Sequence, residues 1–158
     1  MHLAINMDDN KMFVRPANES DQDAVFKLMA DLGYPGLSQT RFAETYERVL
    51  KHPAMRVIVT EDETGEIVGM ASVTMRPQLR LISDLVTIDE LVVAATAGGR
   101  GIGRALLDHV KAIAVDVSAG RLELETNRAR ESYRRDFYVK NGFAEANSAV
   151  MRIDYDVR

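Results

Sequence analysis

The chain contains no cysteine, no tryptophan and only four prolines among its 158 residues. The missing cysteines exclude disulfides, thiolate nucleophiles and cysteine-based zinc sites together. No apolar run approaches the roughly 18 residues that a membrane-spanning helix needs, and no basic stretch suggests a nucleic-acid footprint. The formal net charge is -4, so the expectation is neither a nucleic-acid partner nor a membrane. Segment 1–11 lacks a basic start followed by an apolar stretch, so it reads as a short extension rather than a secretory signal. With no cysteine and no such signal, the expected location is cytoplasmic. The three histidines, His2, His52 and His109, show no metal-ligand spacing, so no metal is expected.

What is present is an ordinary globular composition, 46% hydrophobic and 28% charged, on a length that suits one domain over residues 12–158. Met12 to Arg15 reads as a strand. Ser20 or Asp21 opens a helix with Ala24, Val25, Leu28, Met29 and Leu32 at helical spacing, and Gly33 ends it. Ser38 caps a second helix that Pro53 stops. Met55 to Thr60, a turn at Asp62 to Glu66, and Ile67 to Met75 form a hairpin. A further β-branched strand lies within Leu85 to Val93. A long helix follows from Gly101, then the alternating strand Arg121 to Thr126 and a helix over Arg130 to Lys140. Phe143 to Ala146 and Ala149 to Asp156 alternate as two closing strands. Hairpins first and helical crossovers later imply an α/β fold with a mixed sheet flanked by helices.

The most informative segment is Gly98-Gly99-Arg100-Gly101-Ile102-Gly103-Arg104, which follows a strand and opens a helix. Helix N-termini carry unpaired N–H groups and the positive end of the macrodipole. Glycines let a phosphate approach those amides, and arginines add charge-assisted contacts. A nucleoside triphosphate loop would need Lys then Ser/Thr after its last glycine, whereas Gly103 is followed by Arg104 and Ala105. A dinucleotide fingerprint would need a third glycine where Arg104 stands.

This strand–turn–helix segment, IDELVV…GRGIGRALLDHV, resembles the acetyl-CoA signature of the GNAT acetyltransferase superfamily. The likeness continues through RLELET and through Asp136-Phe137-Tyr138-Val139-Lys140-Asn141-Gly142-Phe143. It implies the GNAT fold, with a mixed and mostly antiparallel sheet, and transfer of an acetyl group from acetyl-CoA to an amine. The family's Gln/Arg position falls on Gly98, which leaves the pyrophosphate to the backbone amides and Arg100.

The resemblance also implies roles. Gly99, Arg100, Gly101, Ile102, Gly103 and Arg104 would hold the pyrophosphate. The backbone of Leu91, Val92 and Val93 would hold the pantetheine as an added strand. Asn127 and Ser132 would contact the cofactor. Asp89 or Glu90 is the candidate general base. Neighbours on a strand point to opposite faces, so only one of the two is expected to enter the site. Tyr138, in the family's Phe-Tyr-x-Lys-x-Gly-Phe pattern, is the candidate general acid at the CoA sulfur. From composition alone Phe137-Tyr138 would be an aromatic core pair. The expected acceptor is a small-molecule amine, with a protein amine or a non-catalytic acyl-CoA-binding domain as the alternatives. Homodimers are common in the family, though no residue pattern here requires one.

Overall fold

The computed structural model describes residues 3–7 and 10–156. The chain divides into two compact units, Met1–Glu125 and Thr126–Arg158.

In the first unit six strands form one sheet in sequence order: β1 (Leu3–Met7), β2 (Asn10–Pro16), β3 (Met55–Glu61), β4 (Ile67–Gln78), β5 (Ser83–Val93) and β6 (Arg121–Leu124). All neighbours are antiparallel except β5 and β6, which run parallel. The expected mixed, mostly antiparallel sheet is therefore present. It gains an N-terminal strand, β1, inside the segment read as an extension.

Helices cover both faces. α1 (Gln22–Leu32) and α2 (Gln39–Lys51) bury Val25, Leu28, Met29, Leu32 and Tyr46 against Val57, Val59, Met70 and Val92 of the sheet. A short 3-10 turn, Glu19–Asp21, precedes α1. Asn18 is its cap, and Asn18 and Asp21 form a capping box. Asp21, one of the two expected openers, stands at the N-cap of α1 without a side-chain cap bond to it, and Asn18 caps the turn ahead. Gly33 closes α1 with φ 109°, in the left-handed region where glycine has no Cβ penalty. Ser38 caps α2 as expected, accepting from the Arg41 amide. Arg15 pairs with Asp21 at 2.7 Å and with Glu61 at 2.8 Å, fastening β2 to the start of α1 and to β3. Burial of Tyr46 pushes its phenol up to about 12, and its hydroxyl donates to the Asn18 carbonyl at 2.9 Å.

α3 (Ile102–Asp116) lies on the opposite face. Ile102, Leu106, Leu107 and Val110 are almost completely buried. Gly69 of β4 is what admits this helix. A Cβ on Gly69 would stand 2.8 Å from Ile102 Cγ2 and 3.3 Å from Leu106 Cδ1.

The second unit departs from the sequence expectation. Residues 130–140 do not form one helix but two short ones, α4 (Glu131–Arg134) and α5 (Phe137–Lys140). The break is Asp136, whose φ of 55° lies in the left-handed region that stops helix propagation. The segments 143–146 and 149–156 carry no strand assignment. Val150, Met151, Ile153 and Tyr155 are exposed there. An alternating pattern makes a strand only when a sheet edge supplies its hydrogen bonds, so the pattern alone did not suffice. No helix among the described residues is long and apolar enough to cross a membrane.

Candidate active site

β5 runs alongside β6 only from Leu85↔Arg121 to Ile88↔Leu124. Beyond Ile88, β5 continues to Val93 on its other neighbour, β4. The Ala94 amide donates to the Val68 carbonyl at 2.8 Å. Strand alternation therefore turns the Leu91 and Val93 N–H groups away from β4, toward the side where β6 pairing has ended. That half-edge is suited to an extended ligand that pairs with backbone. The side chain of Val92, in contrast, is buried in the α1–α2 core, so only its backbone is available.

At the parting of the strands β5 carries a bulge. Ser72 pairs with Glu90 and Val73 pairs with Ile88, leaving Asp89 as the extra residue. A bulge breaks the two-residue alternation of a strand. This corrects the expectation that Asp89 and Glu90 point to opposite faces. Thr74 Oγ1 donates to Asp89 Oδ2 at 2.5 Å, and Ser72 Oγ donates to Glu90 Oε2. Ser72 and Thr74 are two apart on β4, hence on one face. Ser72 is also two from Met70, and Glu90 two from Val92, so this is the face that α1 and α2 cover. Desolvation pushes the half-buried Glu90 carboxyl up to about 7, and repulsion from Asp89 adds to it. Desolvation also raises Asp89, opposed by the Thr74 hydrogen bond. A carboxyl poised near 7 is suited to accept a proton at neutral pH.

After β5 the chain makes a 3-10 turn at Ala95–Ala97 and reaches the glycine-rich loop. Gly99 (φ 79°) and Gly101 (φ 76°) both take left-handed conformations that a side chain would oppose. Gly101 is the N-cap of α3 and has no side chain to satisfy the first amides, which leaves those of Ile102, Gly103 and Arg104 for an anion. The Ile102 side chain itself is core. Arg100 Nε is buried and has no hydrogen-bond partner, a donor suited to an acceptor that the described residues do not supply. The positive charge of Arg100 also acts on Asp62 of the β3–β4 turn and helps hold that carboxyl low, after the Thr64 hydrogen bond. Arg104 is mostly exposed, and its Nε lies 3.8 Å from Asp108 along the helix. At Gly98 an added Cβ would meet nothing within 4 Å, so no close contact requires glycine there.

In the second unit Tyr138 is half-buried. Its ring packs edge-on to Phe137 at 5.1 Å and to Phe143 at 6.0 Å between centroids. Burial raises its phenol, while Arg130 and hydrogen bonds with Ser132 and Thr126 oppose the rise. A phenol raised above its usual value stays protonated at neutral pH and is available as a proton donor. Ser132 thus partners Tyr138. Asn127 is exposed, and its side-chain oxygen accepts from the Ala129 amide at 2.8 Å, shaping the turn that leads into α4.

Three participants were missed from the sequence. Ser72 and Thr74 had a signal: two hydroxyls spaced by two in the otherwise apolar MASVTM run. Asp31, which accepts from the Ala95 amide at 3.2 Å, had none, because its partner lies 64 positions away. No group of three or more His, Cys, Asp or Glu among the described residues could hold a metal ion.

Comparison with known proteins agrees with this geometry. The model of the Acetyltransferase (GNAT) family matches residues 22–143. The chain is 30% identical over 134 residues to an aminoalkylphosphonate N-acetyltransferase of Salmonella typhimurium, covering 85% of this chain and 86% of that one. A Trypanosoma brucei acetyltransferase superposes with a TM-score of 0.75 at 27% identity, covering 91% of this chain and 99% of that one. An aminoglycoside N-acetyltransferase solved in complex with CoA superposes with a TM-score of 0.80 at 16% identity, covering 95% and 99%. That last likeness concerns the fold alone.

Proposed function

Because the chain belongs to the GNAT acetyltransferase family, we propose that it transfers the acetyl group of acetyl-CoA directly to the primary amine of a small molecule. The observation that carries this reading is the half-edge of β5 leading into an uncapped, glycine-led helix. Backbone donors at Leu91 and Val93 suit a pantetheine arm. The amides of Ile102, Gly103 and Arg104, with Arg100, suit a pyrophosphate. The buried, unpartnered Arg100 Nε supports the fit of an anionic cosubstrate at this loop.

In this reading Glu90 takes a proton from the incoming ammonium group, directly or through a water. The freed amine forms a bond to the thioester carbon while an amide of β5 polarises the carbonyl oxygen. The carbon–sulfur bond then breaks, and Tyr138 gives its proton to the departing thiolate. The amine nitrogen's second proton restores Tyr138, and Glu90 releases the first to solvent. The family resemblance makes Asn127 and Ser132 cosubstrate contacts, and Ser132 is a hydrogen-bond partner of Tyr138. The catalytic domain takes in β1 together with residues 12–158, acting in the cytoplasm, and a homodimer fits the family habit.

The relative from Salmonella typhimurium makes aminoalkylphosphonates the first acceptors to assay. The test is calorimetric titration with acetyl-CoA, followed by a thiol-release assay across aminoalkylphosphonates, polyamines and amino sugars. Micromolar binding, about -8 kcal/mol, and acceptor-dependent thiol release are expected. Binding without turnover on any amine would favour a non-catalytic acyl-CoA-binding role.

A further inference from the structure

The bulge has a chemical consequence beyond its effect on strand direction. By making Asp89 the unpaired residue of β5, it lets Asp89 and Glu90 both reach hydroxyls on one face of β4, the α1–α2 face. Each is fixed by its own hydroxyl donor, Thr74 for Asp89 and Ser72 for Glu90. Two residues of a strand span roughly 6.8 Å, so the two anchoring hydroxyls hold the carboxylates within range of strong mutual repulsion at a partly desolvated site.

We propose that Asp89 and Glu90 work as a coupled pair in which only one ionises readily at first, with Asp89 a positioning residue whose charge makes Glu90 the stronger proton acceptor of the two. This rests on the reading of Glu90 as the base. Like charges at short range resist joint ionisation. Without Asp89, Glu90 would lose its proton at lower pH and be a weaker base when the ammonium group arrives.

Asp89 is the charge that acts on Glu90 among the described groups. The elements packed against this part of β5 carry Asp23, Lys27 and Asp31 on α1, Arg76 on β4, and Arg121 and Glu123 on β6. Asp31 is engaged with the Ala95 amide, and α3 lies across the sheet from the pair.

The experiment reads Glu90 directly. The protein is labelled with glutamate carrying carbon-13 at the side-chain carboxyl. The Glu90 signal, assigned by its loss in Glu90→Gln, is followed by NMR from pH 4 to 9 in the parent, Asp89→Asn and Asp89→Glu. The parent should titrate near 7. Asp89→Asn should titrate at clearly lower pH, and Asp89→Glu, which keeps the charge, should return toward the parent. An unchanged midpoint in Asp89→Asn would overturn the pair. The readout needs no turnover, so it is independent of the catalytic assignment. A shifted NMR midpoint with an unshifted kcat/KM profile would uphold the pair and remove Glu90 as the base.

Discussion

The Asp31 carboxylate, in the last turn of α1, accepts a hydrogen bond at 3.2 Å from the backbone N–H of Ala95 in the turn that follows β5. This bond ties α1 to the chain three residues before the glycine-rich loop. It fixes the approach of that loop without touching the amides at the start of α3.

Replacing Asp31 with Ala should therefore weaken acetyl-CoA binding while leaving the chemical step nearly intact. A hydrogen bond of this kind contributes about 0.5–1.5 kcal/mol, so KM for acetyl-CoA should rise by roughly 2- to 12-fold. Asp31→Asn keeps an acceptor oxygen and should stay near the parent. Steady-state kinetics with acetyl-CoA varied would check this; a fall in kcat with KM unchanged would contradict it.

Glu90 predicts two pH dependences of opposite sign. As a base it acts when deprotonated, so kcat/KM should rise with pH through about 7. Glu90→Gln should cost on the order of 10²–10⁴-fold in rate. For stability, the folded carboxyl holds its proton to about 7, while the ordinary value is 4.5. Between those values the folded state binds more protons than the unfolded state, so this group's contribution to stability falls as pH rises. Glu90→Gln lacks that loss, and its Tm relative to the parent should increase from pH 4.5 to pH 8. A constant Tm difference in calorimetry would refute the buried, raised carboxyl.

Tyr138→Phe removes the proposed proton donor and keeps the aromatic packing on Phe137 and Phe143. Acetyl-CoA affinity should be preserved, with kcat reduced by about 10²-fold or more. Equal rates for the two proteins would take Tyr138 out of the chemistry.

Gly69→Ala tests the seat of α3. The new Cβ would meet the fully buried, β-branched Ile102 at 2.8 Å and the Val92 carbonyl oxygen at 3.3 Å, and neither has room to yield. Overpacking of this sort costs about 1–3 kcal/mol. Because Ile102 is the first residue of α3, the displaced helix start should also weaken acetyl-CoA binding. Urea denaturation and calorimetric titration would measure both effects, and an unchanged affinity would separate the core contact from the anion site.

Much of the candidate site's local structure was legible because its signals are local. The glycines at 99 and 101 take the positive φ that only glycine adopts freely, so their cluster before a helical pattern announces an uncapped helix start wherever it occurs. The caps at Ser38 and Gly33 were equally readable. Tyr138 differed: as an aromatic residue among apolar neighbours it resembles core, and only the surrounding family motif marked it as chemical.

The sequence by itself determined the alternating strands of the sheet, the amphipathic helices and the glycine-led start of α3, since each depends on neighbours within a few positions. Tertiary structure decided the rest. Whether Asp89 and Glu90 share a face depends on which β4 residue opposes each, and pairing across strands is not encoded in a dipeptide. Asp31 finds Ala95 only once α1 has packed on the sheet. Segment 149–156 has the alternation of a strand but no strand assignment, because alternation offers a face while hydrogen bonds require a partner edge.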